Sequence, residues 1–337
     1  MSKMVPVSLV MTVRNEAATI GRLLESVSMQ NVLPSEIVIA DGGSTDGTQR
    51  IVTEMSRTMQ MPIALIEQPG ANISRGRNIA IDRAQYDIIA VTDAGVRLDA
   101  DWLEKLVEPL LTSSDVDVSS GFFVADPQTA FETALGATIL PAVEDVRPGT
   151  FLPSSRSVAF RKSAWRAVDG YPEWLDYCED LVFDQDLKKK GFCFVFTPGA
   201  RARFRPRSSL RTFYLQYFLY ARGDGKADLW RKRHAARYAT YILGPSVILW
   251  ALLHRCTTAG KIALVLSGLA ASGYCRRPWL RLLPQLRTTT FPQALFAVAM
   301  VPLIRLTGDV AKMSGYPVGV IWRIRSCKRI GCTDVPC

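Results

Sequence analysis

Carboxylates end two short apolar runs in the first third of the chain. Residues 88–95 read IIAVTDAG, so Asp93 follows an apolar run and is itself followed by two small residues. Residues 36–41 read EIVIAD and end at Asp41 in the same way. Such runs are typical of buried parallel strands, whose carboxyl ends line the ligand crevice of an open α/β sheet. Both residues are candidates for ligand binding, and the alternative for both is capping of the next turn or helix.

These two carboxylates suit different chemistry. Asp41 can accept a hydrogen bond from the N–H of a nucleobase. Asp93 can face a ribose or hold a divalent ion that bridges phosphates. Ala94 and Gly95 leave the space beside Asp93 uncrowded.

A third acidic site is the Glu179-Asp180 pair, which follows the aromatic segment GYPEWLDYC. The pair stands at the predicted start of a helix, where the dipole stabilises negative charge, so capping is one interpretation. The other is that a carboxylate acts as a general base and takes a proton from an attacking hydroxyl.

Arginines crowd around an aromatic helix predicted over residues 208–221. Paired guanidinium hydrogen bonds can hold a leaving pyrophosphate, and the alternative is a surface patch that contacts anionic lipids. These arginines are Arg203, Arg205, Arg207, Arg211 and Arg222.

The order of predicted elements indicates an α/β fold with a doubly wound, mostly parallel sheet. Apolar runs predict strands over residues 5–13, 36–40, 62–67 and 87–92, with amphipathic helices between them. The strand ends at Arg14 to Glu16, Asp41 and Asp93 should converge at one crevice. Further along, the pattern predicts helices over 101–111, 127–139 and from 178 to Gly191, an extended segment over 116–124, and strands over 156–160 and 192–196.

Charge divides the chain into two parts. Residues 1–200 hold 18 Lys/Arg and 27 Asp/Glu, a net charge of −9, whereas residues 201–337 hold 23 and 4, a net charge of +19. The basic part suits nucleic acid, an anionic membrane surface or a phosphorylated ligand. Its aromatic residues lie in uncharged apolar runs, which fits lipid better than stacked bases, so nucleic acid is not expected as a partner.

Three uncharged runs, residues 238–253, 262–275 and 288–304, lie in the basic part. Each is shorter than the roughly 20 residues that a spanning helix needs, so each alone also fits a buried core helix. With basic flanks such as Arg231 and Arg276, they predict membrane association and a cytoplasmic catalytic domain. The first two runs fit a hairpin with both ends in the cytoplasm, and the third fits a re-entrant or interfacial segment.

No signal peptide is predicted, and the seven cysteines are expected to be free thiols.

These segments, in this order, resemble the family 2 glycosyltransferases, inverting enzymes with the GT-A fold. VSLVMTVRNEAATIGRLLESV resembles the opening strand and helix of the family, and EIVIADGGSTDGT its second strand with the base-binding aspartate. SRGRNIAIDRA and YDIIAVTDAG resemble the run into its metal-binding motif, and CEDLVFDQDLKKKGFCFVFTP resembles its glutamate-aspartate motif. The resemblance covers residues 5–225. The apolar carboxyl-terminal part is similar to the membrane-attached members in character alone.

The resemblance implies a membrane-attached, hexosyltransferase-type enzyme of cell-envelope glycan biosynthesis. The donor would be a nucleoside diphosphate sugar and the acceptor a hydroxyl of a lipid-linked molecule or a glycan. Asp180 would be the general base, with Glu179 beside it. Residues implied to bind the donor are Thr12, Arg14, Glu16, Asp41, Arg75, Asp93, Ala94 and Gly95. Candidates for the pyrophosphate or the acceptor are Arg156, Arg207, Gln216 and Arg222.

Two motifs depart from the family pattern. The Asp-X-Asp motif of the family ends here at Gly95, so either Asp93 alone anchors Mg²⁺ or Mn²⁺ with the diphosphate and water, or metal dependence is weak. Gln216 begins the nearest match to the Gln-X-X-Arg-Trp motif of processive synthases, but Leu219 and Tyr220 replace its Arg and Trp, which favours single-sugar transfer.

The alternative function is a catalytically silent membrane scaffold with the GT-A fold. The missing acid favours that alternative, and the intact Glu179-Asp180 pair argues against it.

We expect three regions along the chain. Residues 1–230 form the transferase domain, 231–325 a membrane-associated helical region, and 326–337 a basic tail that contains Cys327, Cys332 and Cys337.

Overall fold

The first part of the molecule alternates strands and helices as predicted. The computed structural model describes residues 3–329, so most of the predicted tail, with Cys332 and Cys337, lies outside the described residues. The elements are β1 (Lys3–Val13), α1 (Ile20–Ser28), β2 (Val32–Asp41), α2 (Thr48–Ser56), β3 (Ile63–Glu67), α3 (Ile73–Arg83) and β4 (Ile88–Val91). The strands are parallel in the order β3-β2-β1-β4, so their carboxyl ends lie at one edge of the sheet.

Four more strands complete an eight-stranded mixed sheet. The further elements are β5 (Val96–Leu98), α4 (Trp102–Thr112), β6 (Val118–Ala125), α5 (Ala130–Ile139), β7 (Val158–Arg161), α6 (Lys162–Ala167), α7 (Glu179–Lys189) and β8 (Phe194–Phe204). The order continues from β4 as β7-β6-β8-β5, where β6 and β8 are parallel and the other pairs antiparallel. The predicted α/β class with a mostly parallel sheet is confirmed. The three-residue strand β5 was not predicted, because so short a segment carries no periodic signal.

Strand β1 is buried on both faces, which explains its unbroken apolar run. Leu9 and Met11 pack with α1 and α4 on one face, and Val10 packs with α3 and α7 on the other. All three side chains are fully buried. Helices cover both faces of the sheet, as in a doubly wound fold.

The contacts divide the described chain into two compact units. One unit holds Ala142–Arg205 and everything described before Pro127, and therefore the whole sheet. The other holds Pro127–Pro141 and everything described from Pro206 onward. It consists of α5 and the helices α8 (Leu210–Lys226), α9 (Arg231–Leu253), α10 (Thr258–Leu282) and α11 (Phe291–Arg329). The predicted boundary at residue 230 falls inside this helical unit, and as a division by function it stays a prediction.

Glycines let α8 and α11 approach closely within the helical unit. A Cβ atom added at Gly315 or Gly319 of α11 would collide with the carbonyl oxygen of Phe218 or Arg222 of α8. The predicted run over 288–304 is thus the start of a 39-residue helix that packs on α8. Helix α5 packs on the same helix, since Ala134 and Leu135 share an apolar cluster with residues of α11 that include Val301 and Ile304.

Two helices of the described chain are long and apolar enough to cross a membrane, Arg231–Leu253 and Phe291–Ser326. The evidence that these helices could span a membrane rests on their length and composition alone. Helix α10, the second half of the predicted hairpin, is not one of the two. In α9 the apolar side chains point outward: Ile242 is 63% exposed and Leu253 75% exposed.

Candidate functional site

The loops that follow β1 and β2 are joined by hydrogen bonds. The backbone N–H of Asn15 donates to Ser44 Oγ over 2.8 Å, and that of Glu16 donates to Thr48 Oγ1 over 2.8 Å. Asp46 accepts from the Ala17 N–H and from the Thr48 hydroxyl, and the Thr48 bond is the main cause of its lowered pKa. These bonds fix the edge at which the two parallel strands end.

Asp41 lies at this edge and is fully buried. Its Oδ1 accepts from the backbone N–H groups of Gly43 and Ser44 at 3.0 and 2.9 Å and from the Ser44 hydroxyl at 2.8 Å. The hydrogen bonds of Oδ1 are therefore those of a turn cap. Its Oδ2 is buried and has no hydrogen-bond partner among the described residues. A buried acceptor without a donor is unusual and requires an explanation, such as a ligand that supplies an N–H.

Asp93 follows β4 and lies between two arginines. Its Oδ1 accepts from Arg77 Nη2 at 2.9 Å, and its Oδ2 is 3.8 Å from Arg156 Nε. The Arg156 guanidinium also lies 4.7 Å from the centre of the Phe204 ring, which holds the cation beside Asp93. Gly95 is exposed, and a Cβ atom added there would have no described atom within 4 Å. The position of the usual second acid is therefore open space.

Helix α3 holds the segment that leads into α7. Asn72 and Ser74 donate to backbone carbonyls of residues 173–175, with Ser74 Oγ 2.9 Å from the Leu175 oxygen. Asn78 donates to the Tyr171 carbonyl and accepts from the Tyr171 N–H, each over 2.8 Å. The same face of α3 therefore sets where the first turn of α7 begins.

Arg77 is the functional candidate that the sequence reasoning missed. It is 2% exposed, and its Nη1 lies 2.5 Å from Glu179 Oε1 while its Nη2 binds Asp93. Burial lowers the pKa of Arg77, but the Glu179 and Asp93 carboxylates outweigh it and the pKa is raised. Burial raises the pKa of Glu179, and Arg77 opposes that rise. Arg75, the predicted ligand, is exposed on the same helix.

Asp180 lies next to this cluster, half-buried in the first turn of α7. Its Oδ1 accepts from the Leu181 N–H over 2.8 Å, which orients the carboxylate. One turn further on, Asp184 is 2% exposed, and its Oδ2 has no hydrogen-bond partner among the described residues. Burial, and then the charge of Asp180, raises the pKa of Asp184 well above its usual value.

The remaining predicted residues fall in different places. Thr12 is half-buried in β1 beside Gly76 of α3, and Arg14 is exposed just after β1. Glu16 accepts from the Thr19 hydroxyl. Three candidates for the pyrophosphate or acceptor belong to the helical unit, and they are Arg207, Gln216 and Arg222. Of these, Gln216 donates to the Tyr220 hydroxyl over 2.9 Å, and Arg207 is exposed.

Few nearby carboxylates could join Asp93 in holding a metal ion. Asp99 is bound by Arg203 at 2.5 and 3.1 Å, and Asp101 is bound by Lys105 at 2.5 Å. No group of three or more His, Cys, Asp or Glu residues in the described chain could hold a metal. Asp93 is thus the one carboxylate of the motif that could contact an ion. It fits an ion that arrives with a diphosphate, because Mg²⁺ is commonly held by one or two carboxylates, phosphate oxygens and water.

Comparison with known proteins identifies the family. The family model described as "Glycosyl transferase family 2" matches residues 8–156. The succinoglycan biosynthesis protein ExoA of Rhizobium meliloti is 31% identical over 227 residues, which cover 63% of this chain and 67% of ExoA. The glycosyltransferase AglE of Haloferax volcanii is 31% identical over 117 residues, 34% of this chain and 38% of AglE.

A solved structure agrees on the fold. The mannosyltransferase PcManGT of Pyrobaculum calidifontis, in complex with GDP-Man and Mn²⁺, superposes with a TM-score of 0.53 at 17% identity. The superposition covers 91% of this chain and 87% of that one. With the sequence matches, this confirms the resemblance predicted from the motifs. The chain belongs to glycosyltransferase family 2 and is an enzyme with the GT-A fold that transfers a glycosyl group from a nucleotide sugar.

Proposed function

We propose that this enzyme is an inverting sugar transferase in which Asp180 is the general base. The observation that carries the proposal is the contact of one guanidinium, that of Arg77, with both Asp93 and Glu179. It brings the carboxylate of the donor motif and the first turn of α7 into one cluster. A donor held at Asp93 is then within reach of a base on α7, as a single displacement requires.

The proposed reaction is one displacement at the anomeric carbon. The acceptor hydroxyl gives its proton to Asp180, and its oxygen attacks from the face opposite the leaving diphosphate. The new bond from carbon to the acceptor oxygen forms as the bond to the diphosphate oxygen breaks, so the configuration inverts. Glu179 is an unsuitable base because its carboxylate is already paired with Arg77. Its proposed role is to hold that arginine in place.

Asp41 is the proposed contact for the nucleobase. Three donors fix its Oδ1, and its buried Oδ2 needs one more. The imide or amide N–H of a base would satisfy that oxygen, and leaving it unsatisfied costs about 1–3 kcal/mol. Thr12, Arg14, Glu16 and Arg75 remain proposed donor contacts on the strength of the family pattern.

A divalent cation is the proposed partner of the diphosphate. Asp93, Glu179 and Asp180 contribute three negative charges and Arg77 and Arg156 two positive ones, so the cluster has a formal charge of −1 when all are ionised. A diphosphate adds about two more negative charges at neutral pH. Mg²⁺ or Mn²⁺ held by Asp93 and the phosphates would offset this charge and stabilise the leaving group.

The helical unit is proposed to attach the enzyme to the cytoplasmic face of a membrane. The exposed apolar side chains of α9 would be solvated poorly by water and well by lipid. Seven basic residues flank the α9–α10 hairpin at its open end, namely Arg231, Lys232, Arg233, Arg237, Arg276, Arg277 and Arg281. A cytoplasmic location of that end follows the positive-inside rule. A lipid-linked acceptor is the natural substrate for an enzyme held there.

The base assignment is tested with the full chain in detergent, using UDP-, GDP- and dTDP-sugars and a lipid extract as acceptor source. We expect Asp180→Asn to lower kcat at least about 100-fold, because the acceptor proton loses its base. Donor affinity, measured by calorimetry, should stay within a few-fold. The matched control is Asp186→Asn, a half-buried position on the same helix whose carboxylate pairs with Lys189. A near-normal kcat in Asp180→Asn would show that the base lies elsewhere.

A further inference from the structure

We propose that Arg77 is a positioning residue for the transfer step. It holds Asp93, the proposed contact of the sugar donor, at a fixed distance from the first turn of α7, which carries the proposed base Asp180. This inference rests on the proposed function, because it assumes that Asp180 is the base. It assigns to Arg77 a role in the alignment of the two substrates. That role is distinct from stabilising the fold.

The contacts of Arg77 are bidentate across two elements. Nη2 binds Asp93 at the end of β4 over 2.9 Å, and Nη1 binds Glu179 at the start of α7 over 2.5 Å. The guanidinium also lies 5.3 Å from the centre of the Tyr171 ring. A planar guanidinium presents its two outer nitrogens in a rigid fork, so the distance between the two carboxylates is fixed by the shape of one side chain.

The surroundings keep this fork from turning away. Arg77 is 2% exposed and Glu179 is 6% exposed, so neither side chain is solvated when the pair breaks. Breaking a buried ion pair leaves an uncompensated charge, which costs several kcal/mol. Ser74 and Asn78, on the same face of α3, hold the segment before α7. The guanidinium and the helix that carries it therefore position the same turn.

The alignment of the reacting atoms follows from this arrangement. Asp180 comes directly after Glu179, so a shift of the first turn of α7 moves the base relative to a donor at Asp93. A misplacement of about 1 Å can cost on the order of 100-fold in rate. A lysine can reach one carboxylate as a point charge but cannot form the two-sided fork.

The test compares Arg77→Lys with the wild type in the transfer assay and in nucleoside diphosphate binding by calorimetry. We expect kcat to fall about 10–100-fold while the affinity for the nucleoside diphosphate stays within about threefold. Arg83→Lys, an exposed position near the end of the same helix, is the matched control and should leave both unchanged. Circular dichroism and thermal unfolding of Arg77→Lys check that the variant is folded.

A double-mutant cycle with Glu179→Gln tests whether the two residues act as one unit. We expect the kcat of Arg77→Lys/Glu179→Gln to lie within about threefold of the poorer single variant. If the kcat losses of the two single variants multiply in the double variant, the inference is overturned. A wild-type kcat in a folded Arg77→Lys variant would also overturn it, as would an Arg77→Lys variant that loses nucleotide affinity alone. Normal turnover in Asp180→Asn with a loss in Arg77→Lys would instead overturn the base assignment. The two failures are therefore distinguishable.

Discussion

Asp184 has a carboxyl group whose burial disfavours the charged form. It is almost fully buried one helical turn after Asp180, and its Oδ2 has no hydrogen-bond partner among the described residues. Burial raises its pKa, so the folded protein retains this proton at pH values where the unfolded chain has released it. Between the ordinary value of 3.8 and the raised value, unfolding releases a proton, and stability falls as pH rises.

Asp184→Asn should therefore stabilise the protein near neutral pH. We expect the free energy of unfolding of the variant to exceed that of the wild type increasingly as pH rises from 3.8 to the raised pKa, by at most about 1.4 kcal/mol per pH unit. Below pH 3.8 the difference should be near zero. Chemical unfolding at several pH values measures this difference, with Asp186→Asn, at a half-buried position that pairs with Lys189, as the control. Parallel pH profiles for Asp184→Asn and the wild type would contradict the prediction.

Gly95 offers a test of the metal proposal. Because a Cβ atom there meets no described atom within 4 Å, Gly95→Asp should be accommodated and should restore the second acid of the family motif. We expect the Mn²⁺ concentration for half-maximal activity to fall on the order of tenfold, since added carboxylate ligands raise affinity. Gly149→Asp, at another exposed glycine with open space around it, controls for added charge. An unchanged Mn²⁺ requirement in Gly95→Asp would count against a metal at Asp93.

The motif predicts Arg75 as a donor contact, whereas the buried ion pairs are formed by Arg77, two residues further on. Two positions along a helix turn a side chain by about 200°, so the two arginines face opposite ways. The spacing of Ser74, Arg77 and Ile81 marks the buried face of α3, and this signal was available in the sequence. The spacing alone does not identify Arg77, because a buried arginine is expected only when its partners are known, and those partners come from distant segments.

At the scale of elements, glycines allow α8 and α11 to pack closely. Gly315 and Gly319 lie one turn apart on α11, and each faces a backbone carbonyl of α8. Small residues at this spacing let helix backbones approach, as they do in membrane helix pairs. The length of α11 was not predicted because Arg305, Asp309 and Lys312 interrupt its apolar pattern. Asp309 binds Arg237 over 2.7 Å, so that interruption is an interhelical contact.

Gly319→Ala should destabilise the helical unit. The added methyl group would overlap the Arg222 carbonyl, and overpacking typically costs about 1–3 kcal/mol. Thermal unfolding in detergent should show a lower midpoint. Gly268→Ala in α10, where a Cβ atom meets no described atom within 4 Å, is the matched control and should be neutral or slightly stabilising. Equal midpoints for the two variants would show that α8 and α11 can separate without cost.

For the whole molecule, the division of charge matches the division into units. The acidic residues lie mainly in the unit with the sheet, and the basic residues flank the exposed apolar helices. Composition predicted this contrast well, because charge is a local property. It did not predict that residues 127–141 join the helical unit, because the apolar cluster that α5 joins is formed by helices far along the chain, α8, α10 and α11.

The proposed membrane orientation places Cys256 on the far side of the bilayer. Cys256 is exposed in the short loop between α9 and α10, and about 16 uncharged residues of α9, roughly 24 Å of helix, precede this loop. In chains that keep only Cys256, a membrane-impermeant maleimide should label right-side-out vesicles but not inside-out ones. Chains that keep only Cys193, exposed in the unit with the sheet, should show the reverse. Labelling of both from the same side would rule out a spanning hairpin.

The assignment of α5 to the helical unit also bears on how the protein is made. Helix α5 ends at Ile139, and its partner α11 begins at Phe291, so about 150 residues separate their appearance during synthesis. At a synthesis rate of roughly 5–20 residues per second, about 8–30 s pass before α11 is available to cover the apolar side of α5. A chain shortened at residue 230 would never cover it. The ribosome must therefore finish most of this polypeptide before α5 can complete its packing.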